Sequence, residues 1–338
     1  TPPPTTATHT LYSSSAASDV YKRQMLDIAD LVFESRADTP EITWETLTHQ
    51  TRIRALQAGE WGPFQQVLAG LDTALHDMAA RRAGLSLARY LNPSAEEAVP
   101  CYASGIASSK AAAQVASARA DGFSAFKIKV GFNDVTDLET LGAVSDDLGS
   151  GERLFADANQ AWDVPRAVAF MQQADAFGLG WIEEPIPADS PRSDWASLAD
   201  NIKTPIAVGE NIAGDVAFTQ AIEAGHFAYL QPDVAKWGGV TGCLRVARTA
   251  LQAGRIYCPH FLGGGIGLRA SAHVLAAAGG PGVLEVDVNP NPLRDAFEGE
   301  AMSGGDWTLG TAAGLGIETL PQALGPYQTL SLEKTRVS

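Results

Sequence analysis

Residues 125–130 read AFKIKV, a short apolar run with two lysines at alternate positions. Alternate residues of a strand face the same side, so Lys127 and Lys129 are predicted to point together, away from the apolar residues. Similar apolar runs, each ending on a polar residue, recur every 23 to 28 residues along the chain. With Lys129, the polar residues of this series are Asp157, Glu183, Glu210, Asp233, His260 and Glu285. A strand, a helix and two loops need about 30 residues, so the spacing predicts repeated β–α units.

Eight strand candidates alternate with helical patterns in this part of the chain. They lie at residues 101–106, 125–130, 153–158, 180–183, 206–210, 227–231, 255–259 and 283–286. Eight strands alternating with helices favour a parallel sheet that closes into a barrel, in which residues at the carboxyl ends of the strands meet in one pocket. We therefore predict an α/β fold, a (β/α)8 TIM-type barrel over residues 99–295.

Three further segments flank the predicted barrel. Residues 25–98 have a helical periodicity and no strand alternation, which predicts a mostly helical capping segment. Residues 1–24 are rich in Thr, Pro, Ser and Ala and end in DVYKRQ, which looks like a translated sequencing adapter. We expect them to be a non-native, disordered leader. We expect the Gly-rich residues 296–338 to pack back over the cap.

The composition restricts the partners of the protein. A net charge of −15 disfavours binding to nucleic acid and to anionic membranes. No apolar run is long enough to span a membrane. The three cysteines have no CxxC spacing, which favours buried thiols in a reducing compartment. We expect a cytoplasmic homo-oligomer whose partner is a small anionic carboxylate substrate. An acidic protein needs a local positive centre for such a substrate, and a divalent cation would supply one.

The carboxylates Asp157, Glu183 and Glu210 each directly follow a predicted strand. Three carboxylates in one pocket repel each other unless a cation compensates them. A hard divalent ion with oxygen ligands does so, and Mg²⁺ keeps positions open for water and substrate. The alternative for each residue taken alone is a solvated loop residue or a helix N-cap. We predict one Mg²⁺ per subunit, held by these three residues.

Candidate acid–base residues lie on both sides of this predicted metal site. A lysine beside another cation and a metal has a lowered pKa and can act as a neutral base, which applies to Lys127 and Lys129. Their alternative is a pair of surface lysines on an edge strand. His260 is poised for proton transfer, and Asp233, one unit earlier, would fix its tautomer and orientation. The other histidines, such as His273, are interpreted as structural.

Three other features keep two interpretations each. Glu285 could hydrogen-bond a substrate oxygen or pair with a lysine inside the barrel. Lys236 is three residues past Asp233, so strand parity turns it away from the pocket unless the chain bulges. The glycine-rich run at 263–267 follows the seventh strand and could bind an anion at a helix N-terminus or form a tight turn.

Six segments resemble the enolase superfamily in its mandelate racemase/muconate lactonizing branch. They are FKIKVG at 126–131, DAN at 157–159, IEEP at 182–185, GEN at 209–211, PDVAKWGG at 232–239 and PH at 259–260. The resemblance implies removal of a proton alpha to a carboxylate, with a bound Mg²⁺ stabilising the resulting enediolate. It also implies Lys129 and His260 as bases on opposite faces of the substrate, with Lys127 and Asp233 assisting.

The same resemblance suggests the type of reaction. The Lys-x-Lys pair with a His–Asp pair resembles the mandelate racemase subgroup, mostly acid-sugar dehydratases, which implies a hydro-lyase. Racemisation, epimerisation or cycloisomerisation within the superfamily, and an inactive barrel scaffold, are the alternatives. Asn159, Lys236 and Glu285 are the implied substrate-binding residues. Family members begin with three strands before the cap helices, and no such strands precede these helices here, which implies a truncated cap.

Overall fold

The computed structural model of the protein describes residues 7–12, 28, 31, 32, 39–297 and 302–334. The described part starts with strand β1 (Ala7–Tyr12) and continues with helices α1 (Pro40–Ala58), α2 (Trp61–Arg82) and α3 (Leu87–Leu91). Thr39 caps α1, because its side chain accepts a hydrogen bond from the amide of Ile42, and Pro40 occupies the first turn. Gly59 ends the helix in the left-handed conformation.

Eight strands alternate with helices after this helical segment. The strands are β2 (Ala98–Ala107), β3 (Ala125–Lys129), β4 (Arg153–Asp157), β5 (Ile182–Glu183), β6 (Ile206–Val208), β7 (Phe227–Leu230), β8 (Ile256–Tyr257) and β9 (Leu284–Asp287). The helices are α4 (Ala111–Ala120), α5 (Asp134–Asp146), α6 (Val164–Ala174), α7 (Arg192–Asn201), α8 (Asp215–Ala224), α9 (Gly239–Gln252), α10 (Gly265–Ala278) and α11 (Pro292–Asp295). Each strand overlaps one predicted from the sequence.

The strands pair in parallel in chain order from β2 to β8, and β9 pairs with β2. Between β8 and β9 the amide of Val283 donates a hydrogen bond to Sγ of Cys258 at 3.4 Å. The sheet thus returns to its first strand with helices outside it, and the predicted (β/α)8 barrel with a helical N-terminal segment is confirmed.

Aromatic side chains fill the lower interior of the barrel. The rings of Phe155 and Trp181 stack with centroids 3.6 Å apart, and the ring of Tyr102 meets both edge-on. Strand alternation places Asp157 and Glu183 two residues further along the same inward faces. The barrel therefore has an apolar floor directly beneath its polar mouth.

The tail and the leader contain strands outside the barrel. Strands β10 (Met302–Ser303) and β11 (Asp306–Thr308) extend the sheet in antiparallel fashion beside β2. The amide of Leu315 donates to Asp77 on α2 at 2.6 Å, so this part of the tail contacts the helical segment. The leader, expected to be disordered, contains β1. This strand pairs antiparallel with β12 (Gln328–Lys334) in a separate two-stranded sheet. The other leader residues lie outside the described residues.

Two observations bear on the expected surroundings of the protein. Among the described residues, no helix combines the length and the apolar character that a membrane crossing requires. Cys101, Cys243 and Cys258 are all buried and free of disulfides.

Gly209 provides a test of how tightly β6 and β7 approach each other. Its φ is 154°, and a Cβ built there would lie 2.4 Å from the backbone of Gln231. We expect Gly209→Ala to lower the free energy of unfolding by about 3 kcal/mol or more, because the strands must move apart. Gly214→Ala is the matched control, since its φ is 98° but no heavy atom lies within 4 Å. It should cost only about 1–2 kcal/mol. Equal losses in urea denaturation would contradict the close approach as the cause.

Candidate active site

The predicted polar residues lie at the carboxyl ends of the barrel strands. Lys129 and Asp157 end β3 and β4 and are paired across them, and Asp157 is paired in turn with Glu183 at the end of β5. Asp233 and His260 form a parallel bridge just beyond β7 and β8. Parallel pairing brings these ends to one face of the barrel, so residues far apart in sequence share one pocket.

Lys127 is fully buried at the centre of this pocket. Its Nζ lies 2.7 Å from Glu183 Oε2, 2.7 Å from Glu285 Oε1 and 3.6 Å from Asp157 Oδ2. Burial acts to lower the pKa of Lys127, but the charges of Glu183 and Glu285 outweigh it and hold the pKa well above its usual value. In the absence of a metal ion, the neighbouring carboxylates thus favour the protonated form of Lys127. Of the two interpretations of Glu285, pairing with a lysine inside the barrel is the one observed.

Lys129 lies nearer the mouth and retains some exposure to solvent. Its Nζ contacts Asp157 Oδ2 at 2.5 Å and Asn159 Oδ1 at 2.7 Å. Asn159 has a φ of 43°, a conformation that few residues other than glycine adopt. Its own amide donates to Asp157 Oδ1 at 2.9 Å. The turn after β4 therefore holds Asn159 beside Lys129, and the pair faces the open end of the barrel.

His260 lies between several carboxylates on the other side of the pocket. Its Nδ1 is 2.8 Å from Asp233 Oδ2, and its Nε2 is 2.5 Å from Glu210 Oε2 and 3.8 Å from Glu285 Oε2. Burial would lower the pKa of His260, but Glu285, Asp233 and Glu210 raise it well above its usual value. The surrounding carboxylates thus favour the protonated form of His260. Burial alone would raise the pKa of Glu210, but His260 overcomes this and lowers it.

Lys236 faces the pocket, against the simple parity argument. A turn after Asp233 redirects the chain, because the amides of Ala235 and Lys236 donate to Asp233 Oδ1 at 2.7 and 3.0 Å. The half-exposed Lys236 Nζ then lies 3.8 Å from Glu210 Oε1. It also donates to Asn211 Oδ1 at 3.2 Å. Lys236 is therefore a cation at the rim of the pocket.

The structure adds four residues that the sequence did not single out. Gln231 donates to Glu183 at 2.8 Å, and Ser104 donates to Glu285 at 2.5 Å. Asn211 donates to Glu210 at 2.9 Å and to Glu184 at 2.7 Å. Strand parity could have identified Gln231, since it lies two residues before Asp233. Ser104 had no comparable signal, because its strand does not end on a polar residue.

The carboxylates outnumber the cations in this pocket. The carboxylates are those of Asp157, Glu183, Glu184, Glu210, Asp233 and Glu285, and the cations are Lys127, Lys129, Lys236 and His260. Burial, followed by the charge of Asp157, raises the pKa of Glu183 to about 8 although Lys127 pairs with it. Glu183 Oε1 is buried and has no hydrogen-bond partner among the described residues. A cation bound beside Glu183 would lower this pKa and compensate the excess of carboxylates.

The oxygen donors of Asp157, Glu183 and Glu210 fit a hard divalent cation by their chemistry. Among the described residues, no group of three or more His, Cys, Asp or Glu side chains is gathered as it would be around a bound metal ion. Each carboxylate instead contacts a different cation: Asp157 contacts Lys129, Glu183 contacts Lys127, and Glu210 contacts His260.

The glycine-rich run after β8 is explained by packing. A Cβ at Gly265 would lie 2.3 Å from the ring of Phe297, and one at Gly267 would lie 2.2 Å from the ring of Phe261. These glycines admit two aromatic rings at the start of α10.

Comparisons with known proteins agree with this geometry. The family described as "Enolase C-terminal domain-like" matches residues 110–323. The D-galactarolactone cycloisomerase of Agrobacterium fabrum is 31% identical over 305 residues, which cover 85% of this chain and 79% of that protein. The structure of a mandelate racemase/muconate lactonizing enzyme from Bordetella bronchiseptica RB50 superposes with a TM-score of 0.89 at 44% identity, over 92% of this chain and 87% of that one.

A third comparison concerns a structure with a bound metal. The L-talarate dehydratase of Polaromonas sp. JS666, solved with Mg and L-glucarate, has a TM-score of 0.82 at 27% identity and covers 96% of this chain and 89% of its own. Similar proteins thus include a dehydratase and a cycloisomerase, and the dehydratase structure contains magnesium. With the family match over most of the barrel, the chain belongs to the enolase superfamily, in its mandelate racemase/muconate lactonizing branch.

Proposed function

We propose that the protein is a Mg²⁺-dependent hydro-lyase that removes the proton alpha to the carboxylate of an acid sugar and releases water. The observation that carries this proposal is one continuous network of contacts. It joins the carboxylates of Asp157, Glu183 and Glu210 to Lys129 on one side and to the His260–Asp233 pair on the other.

Lys129 is the proposed base for the alpha proton. It is the lysine of the pair that is partly open to solvent, whereas Lys127 is enclosed by carboxylates and holds its proton. A base must reach the substrate, so exposure favours Lys129. The fixed charge of Lys127 favours negative charge in the pocket and assists the formation of the enediolate.

His260 is the proposed acid for the departure of the beta hydroxyl group. It carries a proton between Asp233 and Glu210, and it lies across the pocket from Lys129. A proton delivered to the leaving oxygen allows it to depart as water. Asp233 fixes the orientation of the ring through Nδ1, and Nε2 lies on the pocket side, beside Glu210.

Asp157, Glu183 and Glu210 would hold one Mg²⁺ per subunit. When bound, the ion supplies positive charge that stabilises the enediolate form of the substrate carboxylate. Asn159, Lys236 and Glu285 would act on the substrate: Asn159 and Lys236 as donors at the rim, and Glu285 through its control of Lys127 and His260.

An acid sugar is the proposed substrate class because the similar proteins from Agrobacterium and Polaromonas act on, or are bound to, such compounds. Polar groups at the rim suit a polyhydroxylated carboxylate. The homo-oligomeric state and the cytoplasmic location remain predictions.

Cycloisomerisation is the second candidate, supported by the similarity to the Agrobacterium enzyme over 85% of this chain. Racemisation or epimerisation would use the same opposed pair, Lys129 and His260. All these reactions begin with removal of the alpha proton, so they differ only in the later steps that consume the enediolate.

Removal of a proposed metal ligand tests the cofactor. We expect calorimetry to give about one Mg²⁺ bound per chain for the wild type and no measurable binding for Asp157→Asn, Glu183→Gln or Glu210→Gln, since a hard cation needs charged oxygen donors. Mg²⁺ should raise the unfolding temperature of the wild type but not that of the three ligand variants. Asp134→Asn, on the outer surface, is the control and should bind as the wild type does. Unchanged affinity in all three ligand variants would refute the assignment.

A survey in D₂O tests the reaction. Incubation with Mg²⁺ and a set of acid sugars that includes L-glucarate should yield a 2-keto-3-deoxy acid, detected by NMR and mass spectrometry. Alpha-deuterium incorporation with stereochemical inversion and no loss of water would instead favour a racemase. A cyclic isomer of the substrate would favour the cycloisomerase.

Two variants separate the roles of the proposed base and acid. Lys129→Met should lose both deuterium exchange and water loss by about 10²–10⁴-fold, because the alpha proton is no longer removed. His260→Asn should slow the release of water to a similar degree but retain alpha-deuterium exchange. If His260→Asn abolished exchange while Lys129→Met retained it, the two roles would be reversed.

A further inference from the structure

We propose that Asp72, on helix α2 of the N-terminal segment, is a positioning residue for the His260–Asp233 pair. The proposal rests on the proposed function, in which His260 delivers a proton. It assigns to the helical segment a direct part in the geometry of the barrel site, through the start of helix α9.

Asp72 caps a helix that has no cap of its own. Helix α9 follows Gly238, which has no side chain to accept the free amides of the first turn. The buried carboxylate of Asp72 accepts from the amide of Thr241 at 2.8 Å and from its hydroxyl at 2.6 Å. Burial raises the pKa of Asp72 to about 7, against the hydrogen bonds from Thr241 and the helix dipole, which favour the carboxylate. The cap is thus supplied by an element 169 residues away.

The sequence at the start of α9 makes room for this contact. Gly239 has a φ of 56°, and a Cβ there would lie 2.6 Å from Asp72 Oδ2 and 2.8 Å from the carbonyl oxygen of Ala69. Any larger residue would push α2 away. The close approach of α2 to the start of α9 therefore depends on glycine at position 239.

The residues around the carboxylate are also arranged to keep it in place. His76 Nε2 lies 3.0 Å from the hydroxyl of Thr241, which itself donates to Asp72, so Nε2 is the donor. Burial lowers the pKa of His76 to about 4, which keeps the ring neutral. Among the described residues, Glu41 on α1 is a further charged group near this cluster, 4.0 Å from His76.

A short rigid turn connects the capped helix to Asp233. The carbonyl oxygen of Asp233 accepts from the amides of Lys236 at 3.2 Å and Trp237 at 3.1 Å, while its Oδ1 accepts from the amide of Ala235 at 2.7 Å. The indole of Trp237 packs edge-on against Trp44 of α1, with centroids 6.1 Å apart. The turn has little freedom of its own, so its position follows the start of α9.

The chain of contacts ends at the acid of the reaction. Asp233 Oδ2 holds His260 Nδ1 at 2.8 Å, and this contact aims Nε2 at the pocket. A shift of the helix start moves Asp233 and rotates the imidazole. Misplacement of a reacting group by about 1 Å can cost about 10²-fold in rate. Asp72 never touches the substrate, and its influence passes through Asp233.

Three variants test the proposal. Asp72→Ala removes the cap, Asp72→Asn keeps an acceptor for the amide of Thr241, and Asp77→Ala on the same helix removes the contact of α2 with the tail at Leu315. With L-glucarate, or the acid sugar that the survey identifies, Asp72→Ala should lower kcat for water loss about 10- to 100-fold with KM within about twofold. Alpha-deuterium exchange should fall far less. Asp72→Asn should restore the ratio of water loss to exchange, and Asp77→Ala should leave it unchanged.

Amide hydrogen exchange tests the capping contact of Asp72 without a substrate. It is followed by mass spectrometry on peptides that cover residues 233–241. Asp72→Ala should exchange faster there, whereas Asp72→Asn and Asp77→Ala should match the wild type. Unchanged exchange in Asp72→Ala would overturn the proposal. The proposal would also fail if Asp72→Ala showed faster amide exchange but kept the wild-type ratio of water loss to alpha-deuterium exchange. Absence of turnover in the wild type would refute the proposed function. The amide exchange would then still test whether Asp72 holds the start of α9 and the turn at Asp233.

Discussion

The ammonium group of Lys127, enclosed by Glu183, Glu285 and Asp157, is the interaction on which the polar mouth of the barrel depends. Buried charges are tolerated only when they are paired and hydrogen-bonded. Directly below, the stacked rings of Phe155 and Trp181 fill the barrel interior. Lys127 therefore allows several carboxylates to lie at the boundary between an apolar floor and an open pocket.

The same arrangement gives two lysines of similar sequence context different environments. Lys127 is surrounded by carboxylates and keeps its proton, so it contributes charge. Lys129 is two residues nearer the mouth and contacts Asp157 and Asn159. A difference of one strand step thus separates a structural cation from a group that can reach a substrate. His260 shows the complementary case, since three carboxylates hold it protonated and suited to act as an acid.

The barrel and the flanking helices contribute to the site in different ways. The strands set which residues meet, because parallel pairing aligns their carboxyl ends. The helices set how firmly they are held, as the cap of α9 by Asp72 illustrates. Enzymes of this superfamily share the alpha-proton chemistry and differ in outcome, which agrees with the general rule that a fold supports many reactions and the site selects one.

The sequence by itself determined the fold class and predicted most of the polar residues that share the pocket. The regular spacing of Lys129, Asp157 and Glu183 required only that strands and helices alternate, and the parity of Lys127 and Lys129 follows from backbone geometry. The tertiary structure decided the electrostatics and the long-range contacts. Lys236 faces the pocket because a turn folds onto Asp233, and the pKa of Lys127 is raised because three carboxylates from other strands surround it. The contact of Asp72 with Thr241 arises only once two elements 169 residues apart pack together. Local pattern reports which face a residue takes, but charge and capping depend on neighbours that only closure of the barrel brings into contact.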